Sequence, residues 1–237
     1  MIGLDRPMKS EWIFELLNMV ALNTKPSEYN IPFEDIAVEL TGKEGKRKVR
    51  TIIFRSFIYS MQKSKTSIES NPIIELTKSR GEPFMRPIYL AKILFDYEIC
   101  QFIIPKFQLY KGNNNEINLN LISKKMVQEY GDRDVVKRSV RSLIKTLSYF
   151  KVLSMVNSST IIQNEPNVLV PEQWRYIIKL YADSYLKSKV IDIDAINYDL
   201  FFYLSVDNSF HETIREYHGK DWEYIRDHSR NMLIMVA

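Results

Sequence analysis

The sequence predicts a mainly α-helical protein. Apolar side chains recur every three or four residues along most of the 237-residue chain, which is the period of one helix face. Strand-prone runs are few, and the clearest pair surrounds a polar turn within residues 152–163. Residues 119–165 follow the order helix, tight turn, basic helix and short hairpin. That is the order of parts in a winged helix-turn-helix, whose second helix commonly enters a DNA groove.

The two helices of this segment follow from their apolar spacing and from the turn between them. The first helix is predicted to begin at Leu119, with Ile122 and Met126 on its apolar side, and to end before Gly131. Asp132 occupies the position of an N-cap for the second helix, which is predicted from about Arg133 to Phe150. The residues predicted for its buried face are Val136, Val140, Leu143, Leu147 and Phe150.

A second face of this helix is cationic. Lys137, Arg141 and Lys145 are spaced four residues apart, and the serines at 139 and 142 are predicted to share the exposed surface and to bond phosphates. The predicted DNA contacts in this segment, including one at the start of the wing, are Arg133, Lys137, Arg138, Arg141, Lys145 and Lys151. Two alternatives stay open for the helix: a solvated amphipathic surface without a ligand, and a module that binds another protein.

A similar basic segment lies near the N-terminus. Residues 46–53 and 137–144 share the pattern K-R-x-V-R-[ST]-[IL]-I, and a helix predicted at 33–40 and a turn at 42–45 precede the first copy. This order indicates a possible second helix-turn-helix, in which Arg47, Arg50 and Arg55 would extend the DNA contact. Eight positions are also compatible with chance similarity between two basic amphipathic helices.

Composition and charge divide the chain into three predicted segments. A hydrophobic fraction of 45% and a charged fraction of 26% are typical of a folded domain. The predicted segments are an N-terminal helical domain at 1–111, the winged unit at 112–170, and an acidic helical segment at 171–237. The net charge is +4, but nine acidic residues against three basic ones lie in 192–227. This asymmetry suggests one surface for a polyanion and another for a different partner.

Further helices are predicted outside the two basic segments. One long helix is predicted from Arg86 to about Tyr110, with Pro87 in its first turn and Pro105 bending or ending it. The remaining predicted helices are 10–22, 72–78, 171–186, 193–204, 209–217 and 221 to the C-terminus. Strands are predicted only in the wing and at residues 190–192.

The search for catalytic residues yields no strong candidate. Cys100 has no partner in sequence, and His211, His218 and His228 lack the spacing of a zinc site. Asp192 and Asp194 can in principle hold a divalent cation for a nuclease, although Asp194 fits better as the cap of a helix beginning at residue 195. We therefore expect no enzyme activity, cofactor or metal. The absence of a signal-peptide pattern and of a long apolar run predicts a cytoplasmic protein without a membrane span.

The stretch from Gly131 to Leu153, GDRDVVKRSVRSLIKTLSYFKVL, together with the hairpin and the helix at Pro171, resembles the small, mostly helical BrxA-type proteins of bacteriophage-exclusion (BREX) systems. The resemblance covers about a third of the chain. It implies a non-enzymatic component of a phage-defence system, and it supplies no catalytic residue.

The sequence therefore predicts a non-catalytic protein that binds double-stranded DNA, with other proteins of a defence complex as further partners. The alternatives are an interaction scaffold or adaptor in a larger complex, a transcription regulator, and a metal-dependent nuclease. The sequence makes no prediction of the oligomeric state.

Overall fold

The computed structural model describes residues 4–63, 66–112, 114–227 and 230–236. Across these ranges the chain is mostly helical, with ten α-helices and two three-stranded antiparallel sheets. Some sequence predictions involve residues outside them: the N-terminal domain at 1–111 includes residues 1–3, 64 and 65, the helix from residue 221 includes residues 228, 229 and 237, and one of the three histidines is His228. None of the helices described is long and apolar enough to cross a bilayer.

The first half of the chain is helical. Its helices are α1 (Ser10–Met19), α2 (Asn30–Ile36), α3 (Lys43–Phe57), α4 (Pro72–Ser79), α5 (Glu82–Asp96) and α6 (Glu98–Leu109). The prediction for α2 was displaced by three to four residues, because the helix begins before Pro32 and ends where Ala37 leaves helical geometry. Proline is tolerated there because its missing amide lies in the first turn, where no intrahelical acceptor is available.

The prediction of one long helix over 86–110 is wrong, because the chain forms two helices that meet at Tyr97. Its backbone is extended (φ −108°, ψ 115°), so helical hydrogen bonding stops there and begins again at Glu98. The buried Tyr97 hydroxyl lies 3.1 Å from the Ser56 hydroxyl, which fixes the break against α3. Pro105 lies inside α6 and does not end it.

The middle of the chain contains both predicted helices and the predicted hairpin. In order it forms β1 (Glu116–Asn118), α7 (Leu119–Tyr130), α8 (Asp134–Tyr149), β2 (Leu153–Met155) and β3 (Thr160–Gln163). Sequence reasoning missed β1, which pairs with β3 and gives the strand order β1-β3-β2. Only its central residue, Ile117, is buried, so three residues carry too little alternation to reveal a strand.

A tight reversal joins α8 to the hairpin. Lys151 adopts a left-handed conformation (φ +61°), and its amide donates to the Ser148 carbonyl at 3.0 Å. The next amide, that of Val152, donates to the Leu147 carbonyl at 2.9 Å. These two bonds form a Schellman motif, which satisfies the last carbonyls of the helix and turns the chain into β2.

The C-terminal segment mixes helices with a second sheet. It contains α9 (Pro171–Leu180) with a π-helical extension (Tyr181–Leu186), β4 (Val190–Asp192), two 3₁₀ turns (Ile193–Ala195 and Tyr198–Phe201), α10 (Asn208–Glu216), β5 (Trp222–Asp227) and β6 (Arg230–Met235). The strand order is β4-β6-β5.

This arrangement corrects three predictions for the C-terminal segment. The helix predicted from residue 221 is a β-hairpin, because Trp222 and Leu233 are fully buried while Glu223 and Ile234 are exposed, a strand alternation. The helix predicted at 193–204 is two short turns. Asp194 is not a helix cap, because the Asp192 carboxylate caps the first turn by accepting from the Asp194 amide at 3.1 Å.

The buried apolar residues form one continuous core, and α5 lies at its centre. Ten of the fifteen residues of α5 are buried, and this helix packs against α1, α6 and α9. Trp12, Trp174 and Trp222 are each at most 2% exposed, so their rings are core side chains. The core holds α6, α7 and α8 in fixed relation, and this positions the basic helix at the surface.

Candidate nucleic-acid interface

The helix α8 has one buried face and one cationic face. Val136, Val140, Leu143 and Leu147 are each no more than 6% exposed, as predicted from their spacing. Four cationic residues are exposed, and we call them the basic face of α8: Lys137, Arg138, Arg141 and Lys145. Since burial of the apolar face fixes the rotation of the helix, the four cations stay at the surface.

The two serines predicted to bond phosphates are buried instead. Ser139 is 2% exposed and Ser142 is 5% exposed. At about 100° per residue, Ser139 and Ser142 lie about 40° and 100° to one side of Leu143. Thr146 lies between them on this flank and is also buried, so the buried face of α8 is wider than predicted. Neither hydroxyl can serve as a phosphate ligand in this arrangement.

The start of α8 differs from the prediction. The N-cap residue is Arg133, without a side-chain cap, and Asp132 is not the cap. The Asp132 carboxylate lies 2.5 Å from the Lys137 ammonium, and this hydrogen bond raises the pKa of Lys137. A phosphate that approached Lys137 would therefore compete with an acidic side chain on the same surface.

Arg133 has a structural partner within the turn. Its guanidinium donates two hydrogen bonds to the Tyr130 carbonyl, from Nε at 3.1 Å and from Nη2 at 2.8 Å. The pair satisfies the last carbonyl of α7, where an intrahelical donor is absent. Arg133 therefore stabilises the end of α7, and a ligand would have to break these two hydrogen bonds to bind its guanidinium.

Four of the six predicted contacts in residues 119–165 have neither an acidic partner nor a side-chain hydrogen bond in the described part of the chain. They are Arg138, Arg141, Lys145 and Lys151, and all four are exposed. The Lys145 ammonium lies 5.6 Å from the centre of the Tyr149 ring, a distance typical of a cation–π contact. These groups can bind phosphate without first breaking an ion pair.

A groove of about 450 Å³ separates α7 from α8. Met126, Val136 and Val140 form its apolar floor, and Lys124, Lys137 and Arg141 lie along its sides. Sequence reasoning overlooked the exposed Lys124 and its neighbour Lys125. Both fall on the polar face of α7, so the helical period was a sufficient signal for them.

The predicted wing carries no cation beyond Lys151. From residue 152 to residue 164 the sequence contains no lysine or arginine. The tip is polar, and the Asn157 side chain accepts from the Ser159 amide at 2.9 Å. Met155 and Val156 are each about half exposed. A ligand would therefore meet a neutral hairpin beside a cationic helix.

Lys9 adds a cation that the sequence did not reveal. Its ammonium lies 5.0 Å from the centre of the Tyr149 ring, at the end of α8, and 2.5 Å from the Glu39 carboxylate. That carboxylate raises the pKa of Lys9. Because Glu39 precedes α3 by four residues, Lys9 connects the surface of α8 with the start of the N-terminal basic helix.

The two basic segments lie at equivalent places in their helices. Helix α3 begins three residues before its copy of the shared pattern, and α8 does the same. Val49 and Val140 are both buried. No strand follows α3 in residues 58–63 or 66–71, so a hairpin like that after α8 is absent from those ranges.

The three predicted contacts of α3 have different surroundings. Arg47 is exposed and lies 2.9 Å from the Glu44 carboxylate. Arg50 is half-buried beside α2, and this burial lowers its pKa. The Arg55 guanidinium donates to the Tyr97 hydroxyl at 3.3 Å. Of the three, Arg47 is therefore the exposed arginine whose ion pair within the described residues stays inside its own helix.

The residues considered for catalysis have other roles. The Asp194 carboxylate accepts from the amide and the side chain of Asn231 at 3.0–3.1 Å, and Asp192 caps a turn. Cys100 is fully buried, and burial raises the pKa of its thiol. In the ranges that the structure describes, no three histidine, cysteine or carboxylate groups come together as a metal site.

Comparison of the chain with protein-family models, curated proteins and solved structures found no match. The resemblance of residues 131–153 to BREX proteins therefore stays a prediction.

Proposed function

We propose that residues 116–163 form a winged helix-turn-helix and that the protein binds double-stranded DNA through α8 without catalysing a reaction. The order β1-α7-α8-β2-β3, with β1 paired to β3, supports the first part. The observation that carries the second part is the basic face of α8, where Arg138, Arg141 and Lys145 are exposed without an acidic partner in the described residues. Affinity for DNA comes mainly from such contacts to phosphates.

The residues divide into two roles. A recognition helix reads base edges with its N-terminal residues, and Arg138 is the first exposed arginine within α8. A guanidinium can donate two parallel bonds to a guanine edge, a contact that lysine makes less specifically. Arg141, Lys145 and Lys151 lie further along and are suited to phosphates.

The N-terminal basic helix extends this contact in our proposal. Lys9 lies between Tyr149 of α8 and Glu39 before α3, which supports a shared surface. Arg47 is the contributor favoured by its exposure, whereas Arg50 and Arg55 have contacts within the fold. Membership of a phage-defence system is a further proposal and is supported only by the resemblance of residues 131–153.

The double substitution Lys137→Ala with Arg141→Ala tests the proposed interface. We expect the dissociation constant for a labelled duplex to rise about tenfold or more, with a salt slope shallower by about one to two. Arg141 supplies one phosphate contact, and Lys137 supplies a second that is weakened by its ion pair with Asp132. Fluorescence anisotropy measures both quantities.

A matched control removes the same charge elsewhere, by Lys78→Ala with Lys189→Ala at two exposed lysines. If the control weakens binding as much as the α8 variant does, α8 is not the contact helix. If wild-type protein fails to bind duplex at low salt, the proposal fails and a protein partner becomes the favoured ligand of the basic face.

A further inference from the structure

A second pocket lies in the C-terminal segment, away from α8 in sequence. It has a volume of about 460 Å³ and opens between the two 3₁₀ turns, α10 and the β5–β6 hairpin. This volume falls within the range of about 300–1,000 Å³ that small-molecule sites occupy. Ile193 and Ile214 are buried beneath it and supply an apolar base.

The pocket is cationic although its segment is acidic. Residues 192–227 contain nine acidic residues and three basic ones, yet two of those three, Arg215 and Arg226, line this pocket. Neither arginine makes an ion pair within the described residues. His211 is four residues from Arg215 on α10 and lies on the same helix face. All three groups can donate hydrogen bonds to an anion.

The remaining lining supplies a ring and a fixed carboxylate. Tyr198 is 42% exposed at the pocket and offers an aromatic surface. The Asp194 carboxylate is held by three contacts of 3.0–3.1 Å from Asn231. The Tyr224 hydroxyl in turn donates to the Asn231 side-chain oxygen at 3.2 Å. Because these groups bond one another, the wall is already formed without a ligand.

From this juxtaposition we propose that the pocket binds a mononucleotide. Arg215 and Arg226 would bind the phosphate, and the base would stack on Tyr198. Asp194 would accept hydrogen bonds from the ribose hydroxyls, a role that suits a carboxylate and that a simple anion would not require. This site is independent of the proposed DNA interface on α8.

Calorimetric titration of the full chain with AMP tests the proposal. We expect saturable binding with a dissociation constant below about 1 mM. The double substitution Arg215→Ala with Arg226→Ala is expected to weaken binding at least tenfold. Tyr198→Ala should also weaken it, and Tyr198→Phe should retain it because the ring remains. All of these side chains are at least partly exposed, so the variants are expected to fold.

Two comparisons make the test specific. The charge-matched variant Lys189→Ala with Lys220→Ala, and the α8 variant Lys137→Ala with Arg141→Ala, should both bind AMP like wild type. The proposal is overturned if AMP does not saturate the protein below about 1 mM, or if the Arg215/Arg226 variant binds AMP as wild type does. Inorganic phosphate that binds as tightly as AMP would overturn the assignment to a nucleotide.

Discussion

Individual side chains decide which cations of α8 are available to a ligand. Lys137 and Arg141 are one helical turn apart, yet Lys137 already has the Asp132 carboxylate at 2.5 Å while Arg141 has no acidic partner in the described residues. Arg133 is held by the Tyr130 carbonyl. These three residues carry the same charge, but only Arg141 can bind a ligand without first losing a partner in the described residues.

Asp132→Asn is predicted to strengthen DNA binding. The substitution removes a negative charge that faces the phosphates and releases Lys137 from its ion pair. We expect the dissociation constant to fall about two- to fivefold at low salt and the salt slope to become steeper. Anisotropy with the same duplex measures this change. Unchanged or weaker binding by the Asp132→Asn variant would mean that DNA does not approach this end of α8.

The residue-level roles were only partly predictable from the sequence. Spacing alone predicted the exposure of Arg138, Arg141 and Lys145, because their helix has a clear apolar face. The bond from Arg133 to Tyr130 depends on the geometry of a turn, and Lys9 reaches Tyr149 from 140 positions away in the chain. Neither arrangement has a local sequence signature.

At the scale of elements, strong helical periodicity was a reliable guide and weak alternation was not. Helices α7 and α8 lie close to their predicted positions because apolar residues and Gly131 define them. The hairpin β5–β6 was missed because charged residues dominate its exposed face. The break at Tyr97 was missed because no glycine marks it, and contacts with α3 hold the extended backbone.

Two glycines provide opposite predictions for stability. Gly131 has φ +82° in the turn between α7 and α8, so Gly131→Ala is predicted to reduce the free energy of unfolding by about 1–2 kcal/mol. Gly45 lies inside α3, and an added Cβ would meet no atom within 4 Å. Gly45→Ala is predicted to raise stability by about 0.5–1 kcal/mol.

Urea unfolding of both glycine variants measures these changes. The two substitutions add the same methyl group, so each serves as a control for the other. A Gly131→Ala protein as stable as wild type would contradict the turn geometry between α7 and α8.

At the scale of the whole molecule, the Asp221 carboxylate links the C-terminal sheet to α9 of the helical core. Asp221, the residue before β5, is 7% exposed and accepts hydrogen bonds from Arg175 at 2.5 and 3.0 Å and from Lys179 at 2.8 Å. Burial by itself would raise the pKa of Asp221, but the two cations of α9 outweigh it and lower that pKa. The charged form of Asp221 therefore stabilises the fold.

Asp221→Asn is predicted to reduce the free energy of unfolding at pH 7 by about 1–3 kcal/mol, because hydrogen bonds to a charged group are weakened. Since the folded pKa is below the unfolded value of about 3.9, the contribution is complete above that value and is lost as pH falls through the folded pKa. Urea unfolding at pH 7, 4 and 3 measures this. The free energies of unfolding of wild type and of Asp221→Asn should become equal only at the lowest pH. A difference that is independent of pH would contradict the ionic origin.

The molecule combines a cationic helix, an acidic C-terminal segment and one shared core, and its sequence predicted the mainly helical class and the position of the basic helix. The second sheet and the C-terminal pocket could not be predicted, because both depend on how distant segments pack. DNA binding by α8 remains the central proposal for this combination.

The most direct test is the affinity of the wild-type protein for a labelled duplex, measured by fluorescence anisotropy across a series of salt concentrations. We predict binding whose logarithmic affinity falls linearly with the logarithm of salt. The expected slope is about −3 to −5, from Arg138, Arg141, Lys145 and Lys151, which have no acidic partner in the described residues, and from their neighbours. Absence of binding at low salt, or an affinity that does not change with salt, would contradict a phosphate-contacting role for α8.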